Sequence, residues 1–162
     1  MEFDVTSVSA IVAAVGVLVG VVLTVLELRN LVKQRQTDLF MKVYSIFGSG
    51  KFSKAVRRLL ATEVKNYDDF VRKHGSVVSI EPEPAQIWLD IDLIGWFFNE
   101  MGFLVNEKLV SEKLVCKLLG YWVIILWEKM RPLIYGWRKE YNMSESFSWF
   151  EYLYNEMKRR EQ

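Results

Sequence analysis

The sequence holds one cysteine, Cys116, and one histidine, His74, among 162 residues. A lone cysteine excludes an internal disulfide, a paired-thiol redox centre and a thiolate zinc cluster, and a lone histidine excludes every metal motif built on paired imidazoles. Proline is scarce, with 3 residues, and neither charge sign prevails: 21 Lys and Arg face 20 Asp and Glu, a net charge of +1. Without a basic field there is no reason to expect nucleic-acid binding. The aromatic content of 14% is too high for a disordered chain. No fixed-period repeat or low-complexity tract is visible. What remains is a chain of single-domain length with little catalytic equipment, read as a non-enzyme with no cofactor.

Charge is also missing locally. From Val5 to Leu26 the chain reads VTSVSAIVAAVGVLVGVVLTVL, with no ionisable side chain. A bilayer core of about 30 Å needs about 20 helical residues, so this stretch fits one crossing. A signal peptide would open with basic residues, whereas this segment opens with Glu2 and Asp4 and lacks a polar cleavage region. Downstream come Arg29, Lys33, Arg35, Lys42, Lys51, Lys54, Arg57 and Arg58, opposed before residue 60 only by Glu27 and Asp38. The positive-inside rule therefore predicts a single-pass cell-membrane protein with its N-terminus outside and the rest in the cytoplasm. The Asn142-Met143-Ser144 sequon would then go unused.

On a helical wheel at about 100° per residue, Thr6, Ser9, Ala13, Gly16, Gly20, Thr24, Glu27, Leu31, Gln34 and Asp38 share one narrow face. Nearly all are small or polar. The opposite face carries Val8, Ile11, Val15, Leu18, Val22 and Leu26, and continues through Arg29 and Lys33, whose long side chains suit lipid headgroups. The bulky face fits lipid; the slim face fits protein or water. Gly16 to Gly20 is a GxxxG motif, which lets helices pack closely. A ring of copies would instead place Ser9, Gly16, Gly20 and Thr24 around an axis, with Glu27 at its cytoplasmic mouth, where acidic rings concentrate cations such as calcium or monovalent ions. Both readings need a homo-oligomer in membrane lipid. The first expectation is a cation channel; the alternative is a membrane-tethered adaptor that oligomerises through GxxxG and binds a cytosolic protein.

The remainder reads as all-α, with no strand alternation. The expected organisation is a transmembrane helix over residues 1–27, a juxtamembrane continuation over 28–47 and a cytosolic helical domain over 48–162. Gly48-Ser49-Gly50 stops the first helix, and a second covers Phe52 to Val64. Asn66 caps a short third helix that ends at Gly75. Ser76 to Pro84 is a loop. A buried helix runs from Ala85 to Met101, ended by Gly102. A long core helix begins at Ser111 and runs to about Tyr141 with a bend at Pro132, and the last covers Phe147 to Arg160. The six tryptophans, Trp88, Trp96, Trp122, Trp127, Trp137 and Trp149, are expected to pack in the core rather than form a membrane belt.

Other chemistry is thin. Gly48-Ser49-Gly50-Lys51 lacks the remaining residues and the preceding strand of a phosphate-binding loop. His74 sits where a cation meets a helix C-terminus, and Cys116 lies among apolar neighbours. Asp90 and Asp92 are two apart and cannot share a helix face; a salt bridge to the preceding basic helices is expected for either. With Glu81 and Glu83 they lack the carbonyl-rich spacing of a calcium loop.

Glu27-Leu28-Arg29-Asn30, the run from Phe97 to Val105, Leu126-Trp127 with Pro132, and Phe150-Glu151-Tyr152-Leu153-Tyr154 resemble an uncharacterised family of small prokaryotic single-span proteins built on a domain of unknown function. The resemblance covers most of the chain and rests on apolar packing signatures. It implies an amino-terminal anchor with a cytosolic helical domain, and supplies no activity or catalytic residue.

Overall fold

The computed structural model describes the backbone of residues 5–76, 78 and 85–161. Glu2, Asp4, Glu81 and Glu83 lie outside the described residues. The fold is all-α, with no strand among the described residues and six helices: α1 Val5–Phe47, α2 Gly50–Ala61, α3 Tyr67–His74, α4 Gln86–Asn106, α5 Glu112–Glu140 and α6 Ser148–Glu161. The chain divides into two compact units, Met1–Asp38 and Leu39–Gln162.

The first unit is the amino-terminal portion of α1. It is one helix because nothing in it interrupts one: no proline occurs, and its two glycines are tolerated within an otherwise apolar helix. Its mean hydropathy reaches 2.7 over the most apolar window, none of which is buried. Among the described residues, one helix is therefore long and apolar enough to cross a membrane.

The second unit has its own core. In it α4 packs against α6 and α2, while α5 packs against α6 and α3. An aromatic line ties four helices together. The Phe52 ring meets Phe98 at 6.3 Å, Phe98 stacks on Phe150 at 5.0 Å, and Phe150 meets the edge of Trp127 at 5.0 Å. All four side chains are fully buried. Leu39–Phe47 joins this core through Phe40, which is fully buried, and through Phe47, 5.2 Å from Phe52 and 5.9 Å from Phe97.

Capping chemistry sets the helix starts and stops. The Ser49 hydroxyl accepts from the Phe52 amide at 3.2 Å, which starts α2 at Gly50 rather than Phe52. The Asn66 side chain accepts from the Asp69 amide at 2.8 Å, and Gly75 ends α3 at φ 76°. Helix α4 continues through Gly102, which was expected to end it. Glycine stands there because α6 leaves no room for a side chain: a Cβ would collide with the Trp149 carbonyl. The true stop is Lys108 at φ 56°, after which the Leu109 amide donates back to the Leu104 carbonyl at 2.9 Å. Helix α5 passes through Pro132 without ending.

Burial separates the tryptophans. Trp88 and Trp127 are buried, Trp122, Trp137 and Trp149 partly so, and Trp96 is 58% exposed. Core packing therefore accounts for most of them and fails for Trp96, whose side chain is largely exposed.

Candidate functional site

The residues singled out on the first helix lie on one uninterrupted stretch of α1. Ser9, Ala13, Gly16, Gly20, Thr24, Glu27, Gln34 and Asp38 are all exposed, as are Arg29 and Lys33. A Cβ built on Gly16 or Gly20 meets nothing within 4 Å, so each glycine leaves open space along the helix. The Thr24 hydroxyl donates to the Gly20 carbonyl at 2.8 Å. Its proton is thus committed to the helix, while its oxygen lone pairs remain available to a partner. On the opposite face Ile11, Val15, Leu18, Val22 and Leu26 are exposed.

The second unit holds a different kind of site. A cavity of about 270 Å³ opens between α4, α5 and the turn that precedes α6. Helix α4 contributes Trp88, Asp92 and Trp96, which follow one another every fourth residue and so share a helix face. Helix α5 contributes Leu133 and Trp137 by the same spacing, and Phe147 closes the remaining side. Three indoles and a phenyl ring therefore share the cavity wall with one carboxylate and with the aliphatic side chains of Ile91, Leu133 and Ile134.

Two features hold Phe147 in place. Its backbone is left-handed at φ 56°, an uncommon and strained conformation for a bulky residue. Its ring lies against Gly95, where a Cβ would come within 2.7 Å of Cε1, and meets Trp96 edge-on at 5.6 Å. Arg138 fixes the turn itself. Its Nε donates to the Ser146 carbonyl at 2.8 Å, and its Nη1 donates to Glu151 at 2.6 Å.

The two aspartates of α4 have opposite surroundings. Asp90 is 2% exposed and faces α2, where Arg58 holds it in a two-pronged ion pair. Its side chain also accepts from Gln86 Nε2 at 3.2 Å. The expected salt bridge to a basic helix is present. Asp92 is half-buried in the cavity wall, and no hydrogen bond or ion pair reaches its carboxylate among the described residues. Burial pushes its pKa above the ordinary carboxylate value, and no cation pulls it back.

The other candidates stay structural. His74 occupies the last turn of α3 and packs on Phe70 at 4.5 Å. Cys116 is partly buried near Gly120. Lys51 lies in the first turn of α2, with no strand before it. Among the described residues no cluster of three His, Cys, Asp or Glu side chains is arranged to hold a metal ion.

A family model described as DUF4760, a domain of unknown function, matches residues 10–157. The chain belongs to the DUF4760 family. No curated protein and no solved structure matches it. The DUF4760 match takes in the apolar stretch of α1 together with the helical unit. Within this DUF4760 chain the cavity is the site that sequence reasoning missed. The signal was the Trp88-Asp92-Trp96 spacing, which sets one charge between two indoles on a single helix face. Phe147 gave no such signal, because its position follows from a turn whose local sequence resembles any polar loop.

Proposed function

We propose that this protein is a membrane-anchored homo-oligomer that holds a helical binding domain at the cytoplasmic surface. The observation that carries the proposal is the apolar stretch of α1, whose bulky side chains Ile11, Val15, Leu18, Val22 and Leu26 are exposed. In water such a surface would drive aggregation; in a bilayer it is the expected lipid contact. The slim face of Ala13, Gly16 and Gly20 then supports self-association, because its glycines allow close approach of a second backbone. The excess of Lys and Arg after the span favours a cytoplasmic location for the helical unit.

Cysteine crosslinking in native membranes tests this reading. With Cys116→Ser as background, Gly20→Cys is expected to give crosslinked dimers or higher species, and Val22→Cys is not. A protein extracted by sodium carbonate, or one crosslinked through Val22→Cys instead, overturns it.

Glu27 favours a second reading, cation conduction by a ring of such helices. It is exposed on the same face as Thr24 and Gly20, at the end of the charge-free stretch, where an ionisable side chain needs water or a partner. Purified protein in planar bilayers is then expected to pass cation current that Glu27→Gln reduces. Silent bilayers containing intact oligomers leave the anchored binding domain as the function.

A further inference from the structure

Among the described residues, the carboxylate of Asp92 has no hydrogen bond or ion pair and lies in the wall of a cavity rich in aromatic side chains. We infer that the cavity between α4, α5 and the Phe147 turn is a binding site for a small quaternary ammonium ion, held by the Asp92 carboxylate and the aromatic side chains that line it, Trp88, Trp96, Trp137 and Phe147. The site lies wholly within the helical unit and does not depend on what α1 does.

Four observations converge on that chemistry. Four of the lining residues are aromatic, and an organic cation over an indole or phenyl face is attracted by its quadrupole, tryptophan being the strongest partner. Asp92 adds a full negative charge with no internal partner, so an entering cation gains an ion pair without breaking one. A neutral apolar occupant would further desolvate that carboxylate, which is unfavourable. A metal ion is a poor match, since hard cations demand six or more oxygen ligands and the wall offers one carboxylate. A primary ammonium needs several acceptors for its three donors, whereas a quaternary head needs only charge and π-faces.

Size narrows the ligand further. The cavity of about 270 Å³ falls just below the usual range for drug-sized ligands, about 300–1,000 Å³. A trimethylammonium head with a short tail fits; a nucleotide does not. Its geometry is also maintained at a cost, since Phe147 holds a left-handed backbone that no ordinary turn would impose on a phenylalanine.

Choline and its uncharged isostere 3,3-dimethylbutan-1-ol discriminate charge from shape. The full-length protein in a neutral maltoside detergent is titrated with each at constant ionic strength, followed by tryptophan fluorescence and by saturation-transfer NMR of the ligand. Saturable choline binding is expected, with the alcohol weaker by about tenfold or more. Asp92→Asn is expected to weaken choline by about the same factor and to leave the alcohol unchanged. Trp137→Leu is expected to weaken both. A short-chain phosphatidylcholine below its micelle-forming concentration, titrated in parallel, separates the sources: tighter binding than choline indicates a lipid headgroup, weaker binding a free metabolite. The inference is overturned if the alcohol binds as well as choline, if Asp92→Asn binds choline normally, or if neither ligand registers up to about 10 mM. Circular dichroism of each variant separates loss of binding from loss of fold.

Discussion

Arg58 grips Asp90 with two nitrogens, Nε on Oδ2 at 2.5 Å and Nη2 on Oδ1 at 2.6 Å, and so fastens α2 to α4. Such a pair matters less for the energy it adds than for the charge it leaves behind when half of it is lost. Arg58→Ala strands a buried carboxylate that retains only Gln86. Asp90→Asn leaves the guanidinium free to turn to water. Urea denaturation is therefore expected to give a lower midpoint for Arg58→Ala than for Asp90→Asn. The apolar double replacement Arg58→Met with Asp90→Leu is expected to recover most of the loss.

Two glycines stand where helices nearly touch. A methyl group at Gly102 would collide with the Trp149 carbonyl, and one at Gly136 with the Tyr67 side chain. Helix propensity alone would make alanine the better residue at both positions, by about 1 kcal/mol. Overpacking reverses the sign. Gly102→Ala is expected to destabilise by about 3 kcal/mol or more, since its obstacle is backbone and cannot rotate aside. Thermal melts of the two variants check this against Gly50→Ala, which meets open space at an exposed position and is expected to change the melt little.

Trp127 lies against Phe150, Tyr154 and Tyr135, and is 1% exposed. Trp127→Ala is expected to cost about 3–5 kcal/mol, because the bundle cannot close over a void that large. Trp96→Ala, at an exposed position, is expected to cost far less. Guanidinium midpoints of both variants decide whether the fold depends on α5 packing or on aromatic content in general.

Burial raises the pKa of Asp92, so the folded protein holds that proton more tightly than the unfolded chain does. Linkage then fixes the direction: as pH rises from the ordinary carboxylate value to the raised one, the ionising Asp92 removes stability. Below that window the group is neutral in both states and costs nothing. Asp92→Asn is accordingly expected to be more stable than the parent at neutral pH and to lose that advantage in acid. Paired denaturation curves at the two pH values measure it.

Local chemistry was the legible part of the fold. Asn66 as a cap, Gly75 as a stop and the charge-free stretch of α1 each depend on neighbours within a few residues. Asp90 was legible as an ion-pair partner because an apolar helix next to basic ones leaves a buried acid few alternatives. Gly102 was misread as a terminator because its reason for being glycine lies on another helix, at Trp149. Trp96 was misread as core for a related reason: periodicity marks an apolar face without saying whether anything covers it. The cavity needed both kinds of information at once, a helix face from α4 and a turn from the far end of α5. Both faces of this stretch of α1 are exposed, Ser9, Gly20 and Glu27 on one and Val15, Leu18 and Val22 on the other, so the helical wheel separates them by chemistry and crosslinking tests which one meets a copy of the chain.

Gly95 has a last consequence. Phe147 leans on a position occupied by a hydrogen atom, and one added carbon there would come within 2.7 Å of its Cε1, so the ring would have to give way. Gly95→Ala and Gly95→Ser thus form a graded dial on the aperture, altering who may enter without touching the carboxylate. Selectivity at this mouth is tunable at a residue that offers no side chain of its own to a guest.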